Sequence, residues 1–77
     1  MNDYLANANL EMFTAYGFTT QLYQPWQLGI FSEEKGKFVW YPRSGTLMKE
    51  SEYGNKKLGE FFDTEKVCEI ISKYPSL

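Results

Sequence analysis

Between residues 18 and 50 the chain is cut by turn signals into apolar and alternating runs of five or six residues, and this restricts it to short strands. "FTTQLY" stops at Gln24-Pro25, "WQLGIF" runs into "SEEKGK", and "KFVWY" runs into "PRSG" before "TLMKE". Pro42 presets φ for a type I turn, and Gly45 supplies the left-handed residue that closes many short hairpins. Gly36 fills the last loop position of the turn before it. Connections of this length join antiparallel neighbours, so the middle of the chain reads as a meander.

Helical patterns flank the meander. Asn2 and Asp3 are good N-cap residues, and Leu5, Ala8, Met12 and Ala15 follow at helical spacing. Gly17 sits at the left-handed C′ position, with Phe18 placed against Phe13 in a Schellman ending, which predicts a helix over 3–16. Three asparagines weaken its start. Residues 51–62, "SEYGNKKLGEFF", form a polar connection with a short extended piece near Leu58. Asp63 then caps a second helix over 64–74. Phe62 and Val67 make a hydrophobic staple; Val67, Ile70, Ile71 and Tyr74 form the apolar stripe, and Pro75 stops it. The expectation is an α+β domain spanning residues 1–77, in the order helix, three- to four-stranded antiparallel meander, helix. Both helices lie on one face of the sheet.

Seventy-seven residues bury only about 60% of their unfolded surface, too little for a deep substrate cavity. Aromatic residues make up 18% of the chain, and fourteen rings are hard to hide in so small a core. Net charge is −2, which gives no general attraction to nucleic acid or anionic membranes. Its distribution is uneven: every Lys and Arg lies at or after Lys35, and residues 1–32 carry only Asp3 and Glu11. With no His and a single cysteine, Cys68, no intramolecular disulfide forms, and a reducing compartment is expected. Nitrogen- or thiolate-based zinc sites and histidine-dependent nucleophilic catalysis are excluded on the same ground. The first eight residues have no basic start and no apolar run, and no stretch approaches the roughly 20 apolar residues of a membrane span.

Register decides which rings face outward. Two four-residue loops, 33–36 and 42–45, pair Ile30 with Val39, Leu28 with Tyr41, and Val39 with Met48. Trp26, Leu28, Ile30, Val39, Tyr41 and Met48 then face the helices. Phe31, Phe38, Trp40, Leu47 and Lys49 face away, with Trp40 across from Gly29 as an aromatic cover. A three-residue loop at 34–36 in its place turns Phe38 and Trp40 to the helix side.

The outward set, with Lys37 and Arg43 beside it, is the candidate binding face. Rings next to cations hold single-stranded nucleic acid by stacking and phosphate contact. Hydrophobic packing and solubility explain the same residues without a ligand. Lys56 and Lys57 in "GNKK" are candidate phosphate contacts, although the spacing is not that of a P-loop. The pairs Glu33-Glu34 and Glu50/Glu52 lie on turns and strand ends, poor places to raise a pKa for acid–base work. Cys68 flanks the apolar stripe of the second helix as a packing residue. No catalytic residue, metal ligand or cofactor is expected.

"WQLGI" followed by "WYPRSGTL" resembles a group of short phage and prophage proteins, over about residues 26–47. In these a W-x-x-x-I strand precedes an aromatic–aromatic–Pro-x-x-Gly-Thr hairpin. Val39 departs from that pattern, and "GNKKLGEFF" replaces a glycine-rich segment. The order of elements is also similar to the double-stranded-RNA-binding domain, with Lys56-Lys57 before the last helix; that family's loop histidine has no counterpart here. The resemblances and the rings together imply a small non-enzymatic phage-type protein that engages a host or phage protein. Nucleic-acid binding on the same face is the alternative, and a homodimer is a third use of it. A membrane partner is not expected, and the expected location is the cytoplasm, that of the host if the chain is phage-encoded.

Overall fold

The computed structural model describes residues 10–76. In chain order it contains α1 (Leu10–Ala15), β1 (Thr19–Gln24), β2 (Gln27–Ser32), β3 (Gly36–Tyr41), β4 (Thr46–Lys49), β5 (Lys56–Gly59) and α2 (Thr64–Lys73). All five strands form one antiparallel sheet in the order β1-β2-β3-β4-β5. The α+β class and the element order are those the sequence implies. The fifth strand is the extended piece near Leu58, which joins the sheet edge as a full member. The first seven residues of the expected first helix, and its Asn2/Asp3 cap, lie outside the described residues.

Local signals explain the helix boundaries. Gly17 adopts φ 87°, its N–H donates to the Thr14 carbonyl at 2.9 Å, and the Phe18 N–H donates to the Phe13 carbonyl at 2.9 Å. Those two bonds are the Schellman pair. At α2 the Asp63 carboxylate accepts from the Lys66 N–H at 2.8 Å, so one orphan donor of the first turn is satisfied. Val67, Cys68 and Ile71 are fully buried, with Ile70 and Tyr74 packed partly against the same cluster.

The 42–45 turn is the four-residue loop expected from its proline and glycine: Tyr41 pairs with Thr46, Trp40 with Leu47, and Val39 with Met48. Gly45 has φ 73°, and a Cβ there would stand 2.5 Å from the Phe62 backbone nitrogen. Only glycine fits, because residues 61–62 dock on this turn: the Phe61 and Phe62 N–H groups donate to the Ser44 and Gly45 carbonyls, each at 3.1 Å.

The other hairpin corrects the expected register. Ser32 pairs with Gly36, so its loop is residues 33–35, three residues and not four. Ile30 consequently pairs with Phe38, Gly29 with Val39 and Leu28 with Trp40. A one-residue change exchanges the faces of the whole third strand. Leu28, Ile30, Phe38, Trp40 and Leu47 form the core with Phe13, Val67, Cys68 and Ile71. Val39, Tyr41 and Met48, expected under the helices, lie on the outer face, and Trp26 stands in the turn before β2, 51% exposed.

Both helices reach the sheet through rings. Phe13 of α1 meets Trp40 with centroids 5.9 Å apart, and Tyr74 meets Phe38 edge-on at 5.3 Å. Trp40 Nε1 is buried with no hydrogen-bond partner among the described residues. An orphaned N–H of this kind costs about 1–3 kcal/mol, which the ring's apolar burial has to exceed.

Candidate binding face

The structure divides the expected binding set between two sides of the sheet. Phe38, Trp40 and Leu47 are 0%, 2% and 0% exposed, all in the core. Lys49 shares their face at its margin, with Nζ 5.5 Å from the Phe38 ring centroid and donating to the Glu50 carbonyl at 2.7 Å. Its charge is therefore held against an aromatic face and a carbonyl. Arg43 is exposed in the 42–45 turn, away from these residues in the chain of pairings. Of the set, Phe31 and Lys37 alone are cross-strand partners on the outer face.

Tyr23 of β1 joins them there. Its ring lies over Gly29, where a Cβ would fall 2.5 Å from a ring carbon. Gly29 is thus covered by an aromatic, as expected, but by Tyr23 of the neighbouring strand and not by Trp40. Gln27 extends the same face by donating from Nε2 to the Tyr41 hydroxyl at 3.3 Å. Tyr23 and Phe31 remain 43% and 42% exposed, whereas Val39 beside them is 1% exposed.

Two grooves meet at Phe31. One, of about 320 Å³, runs along β1 and β2 between Thr19, Gln21, Tyr23 and Lys37. The other, of about 720 Å³, lies where residues 50–55 fold back past Lys37 and includes Tyr53. The Glu50 N–H donates to the Lys37 carbonyl at 3.0 Å, and the Ser51 hydroxyl donates to the Gly54 carbonyl at 2.6 Å, so that loop has a defined path. Tyr53 is 95% exposed.

The candidate phosphate contacts lie on the far edge strand, β5, and on opposite faces of it. Lys57 stands across from Met48 on the outer face and pairs with Glu60, and Lys56 sits across from Lys49 on the helix side. The cations that nucleic-acid recognition would need beside the rings are therefore dispersed, with Lys37 next to Phe31 as the exception. Among the described residues no group of three or more His, Cys, Asp or Glu side chains could hold a metal, and no helix is long and apolar enough to cross a membrane. Cys68 is buried, and burial pushes its thiol up to about 11, away from the thiolate a nucleophile needs.

Sequence reasoning missed Tyr23, Tyr53 and Phe61 as exposed rings. Phe61 is the most unusual: it is 87% exposed and holds φ 62°, a left-handed conformation costly for an aromatic. The polar composition of residues 51–60 gave no sign of it; the two bonds to the 42–45 turn impose it. No protein-family model matches the chain, and no curated protein or solved structure is significantly similar to it.

Proposed function

We propose that the chain is a small phage-type binding protein whose outer sheet face engages a host or phage protein. The observation that carries this reading is Phe31, an aromatic 42% exposed on a face that no helix among the described residues covers, with the Tyr23 ring and two grooves beside it. Contiguous exposed apolar surface on a small domain marks an interaction site more often than a packing residue left over. Aromatic side chains suit such a role because they bring large area with few rotors to freeze. Lys37 at the rim adds orientation. Lys56 falls on the helix side, and Lys57, at the far edge of the outer face, is paired with Glu60, which weighs against phosphate tracking as the main source of affinity.

The test is capture from a bacterial lysate, with and without nuclease, by wild-type protein and by Phe31→Ser. The reading expects one or more proteins retained after nuclease treatment, held at raised salt, and lost with Phe31→Ser. Retention that disappears with nuclease and falls steeply with salt would assign the face to nucleic acid instead. Capture unchanged by Phe31→Ser would place the interface elsewhere.

A further inference from the structure

The two edges of the sheet are built differently. β5 has four residues, two of them Lys56 and Lys57, and its pairing with β4 shifts register between Leu47 and Met48. Short length, lysines and irregularity are the usual means of keeping an edge from pairing further. β1 has none of the first two. Its six residues, "TTQLYQ", are uncharged and five are exposed, and no charge occurs anywhere from residue 12 to residue 32. Among the described residues β1 pairs with β2 alone, so its other side presents an open row of N–H and C=O groups. Leu22 and Tyr23 stand 52% and 43% exposed along it, and Trp26 51% just beyond.

We propose that β1 pairs antiparallel with β1 of a second copy of this chain, about a two-fold axis through Gln21, joining two sheets into one. Charge selects the occupant. An antiparallel strand facing its own copy sets each side chain against itself or a near neighbour, so any net charge on it repels. A strand with no charge meets that condition without further design. A foreign strand would instead be selected by complementary charge, and β1 offers none.

The pleat then narrows the register to axes that pass through a residue. Opposed residues must share a face, which forbids Gln21 opposite Leu22. An axis through Gln21 sets Thr20 against Leu22 within the regular run Thr19–Leu22, and Thr19 against Tyr23, the residue at the bulge between Leu22 and Gln24. Both pairs join a β-branched residue to a larger apolar one, a favourable combination across strands. The helices of both copies fall on the same side of the joined sheet. This edge is separate from the outer face, and the inference does not rest on the binding role assigned there.

Sedimentation equilibrium to millimolar concentration, with amide hydrogen exchange at several concentrations, tests it. The expected result is a reversible dimer in which exchange of residues 19–24 slows as concentration rises while that of residues 56–59 does not. Gln21→Lys sets like charges against each other across the axis and should weaken the dimer about fivefold or more. Leu22→Lys should weaken it too, and adding Thr20→Glu should restore it, because positions 20 and 22 oppose each other only in this register. These side chains are exposed or on an edge, and circular dichroism confirms that each variant keeps its fold. A protein monomeric at millimolar concentration overturns the proposal, as does a dimer with unprotected β1 amides or one indifferent to Gln21→Lys. A double variant no tighter than Leu22→Lys overturns the axis.

Discussion

On the helix side of the sheet Phe38 and Trp40 are roofed by Tyr74 and Phe13, while on the far side Val39, between them in sequence, is 1% exposed with no helix among the described residues above it. Its neighbours on that pleat are Gly29, Met48, Tyr41 and Lys37, with the Tyr23 ring reaching over Gly29. One face is a core closed by separate elements. The other is a shallow cluster closed by its own strands, and its outermost rings, Tyr23 and Phe31, stay in contact with water. Burial alone therefore does not separate a core position from a surface one in a domain this thin. What lies above the side chain does.

The largest expected effect follows from that difference. Phe38→Ala should cost about 3–5 kcal/mol, because the lost ring leaves a cavity between Tyr74 and the sheet. A domain of this length holds only about 4–12 kcal/mol in total, so the variant sits at its unfolding threshold. Phe31→Ala, on the outer face, should cost no more than about 1 kcal/mol. Denaturant titration of the two variants side by side measures both. Equal costs would mean that the outer face is a second core and the comparison fails.

The next effect is a pH dependence that reports how dry the helix side is. Burial raises the Cys68 thiol from its ordinary 9.0 to about 11 in the folded protein. The unfolded chain therefore releases this proton at lower pH than the folded one, so the folded state binds more protons between those values. Stability should then be intact below about pH 9 and fall as pH rises toward 11. Lysines and tyrosines titrate in the same range, so the quantity to compare is the slope of wild type against that of Cys68→Ala. A variant that loses stability as steeply as wild type would mean that water reaches the thiol.

The second helix, the end of the first, the 42–45 turn and the element order were legible because each rests on a local signal: an N-cap aspartate, a Schellman glycine, a proline and glycine three residues apart. The face of β3 was not. "FVWY" carries an apolar residue at every position, so alternation offers no contrast, and the assignment falls to the length of one loop. Gly36 does adopt a left-handed φ, 96°, but it does so while paired with Ser32, which shortens the loop to three residues. A discriminating signal was present in Lys37. The four-residue loop puts it on the helix side with Val39 and Tyr41, a poor place for a lysine, whereas the observed register puts it beside Phe31 in water. Of the candidate site, Phe31 reads as outward; Lys37 is grouped with it although the expected loop turns it to the helix side, and Tyr23 is missed because its role depends on a glycine in the next strand.

The smallest effect sharpens the comparison at that glycine. A methyl at Gly29 would meet the outer end of the Tyr23 ring, its ring carbons at 2.5 and 2.7 Å and its hydroxyl oxygen at 2.8 Å. Those atoms belong to a half-exposed side chain that can swing into solvent, so Gly29→Ala should cost only about 1 kcal/mol despite the close approach. If the ring is the whole obstacle, Tyr23→Ala removes it, and the cost of Gly29→Ala in that background should vanish or reverse, since alanine is the better strand residue. The coupling in such a double-mutant cycle is expected at about 0.5–1.5 kcal/mol. Additive costs would show that Tyr23 merely rests above Gly29 and is not what opposes a side chain there. Strong coupling would show that the outer face closes itself with a movable ring, which is what a face that opens to a partner needs and what the helix side, with Phe38 and Trp40 locked beneath fixed elements, does not provide.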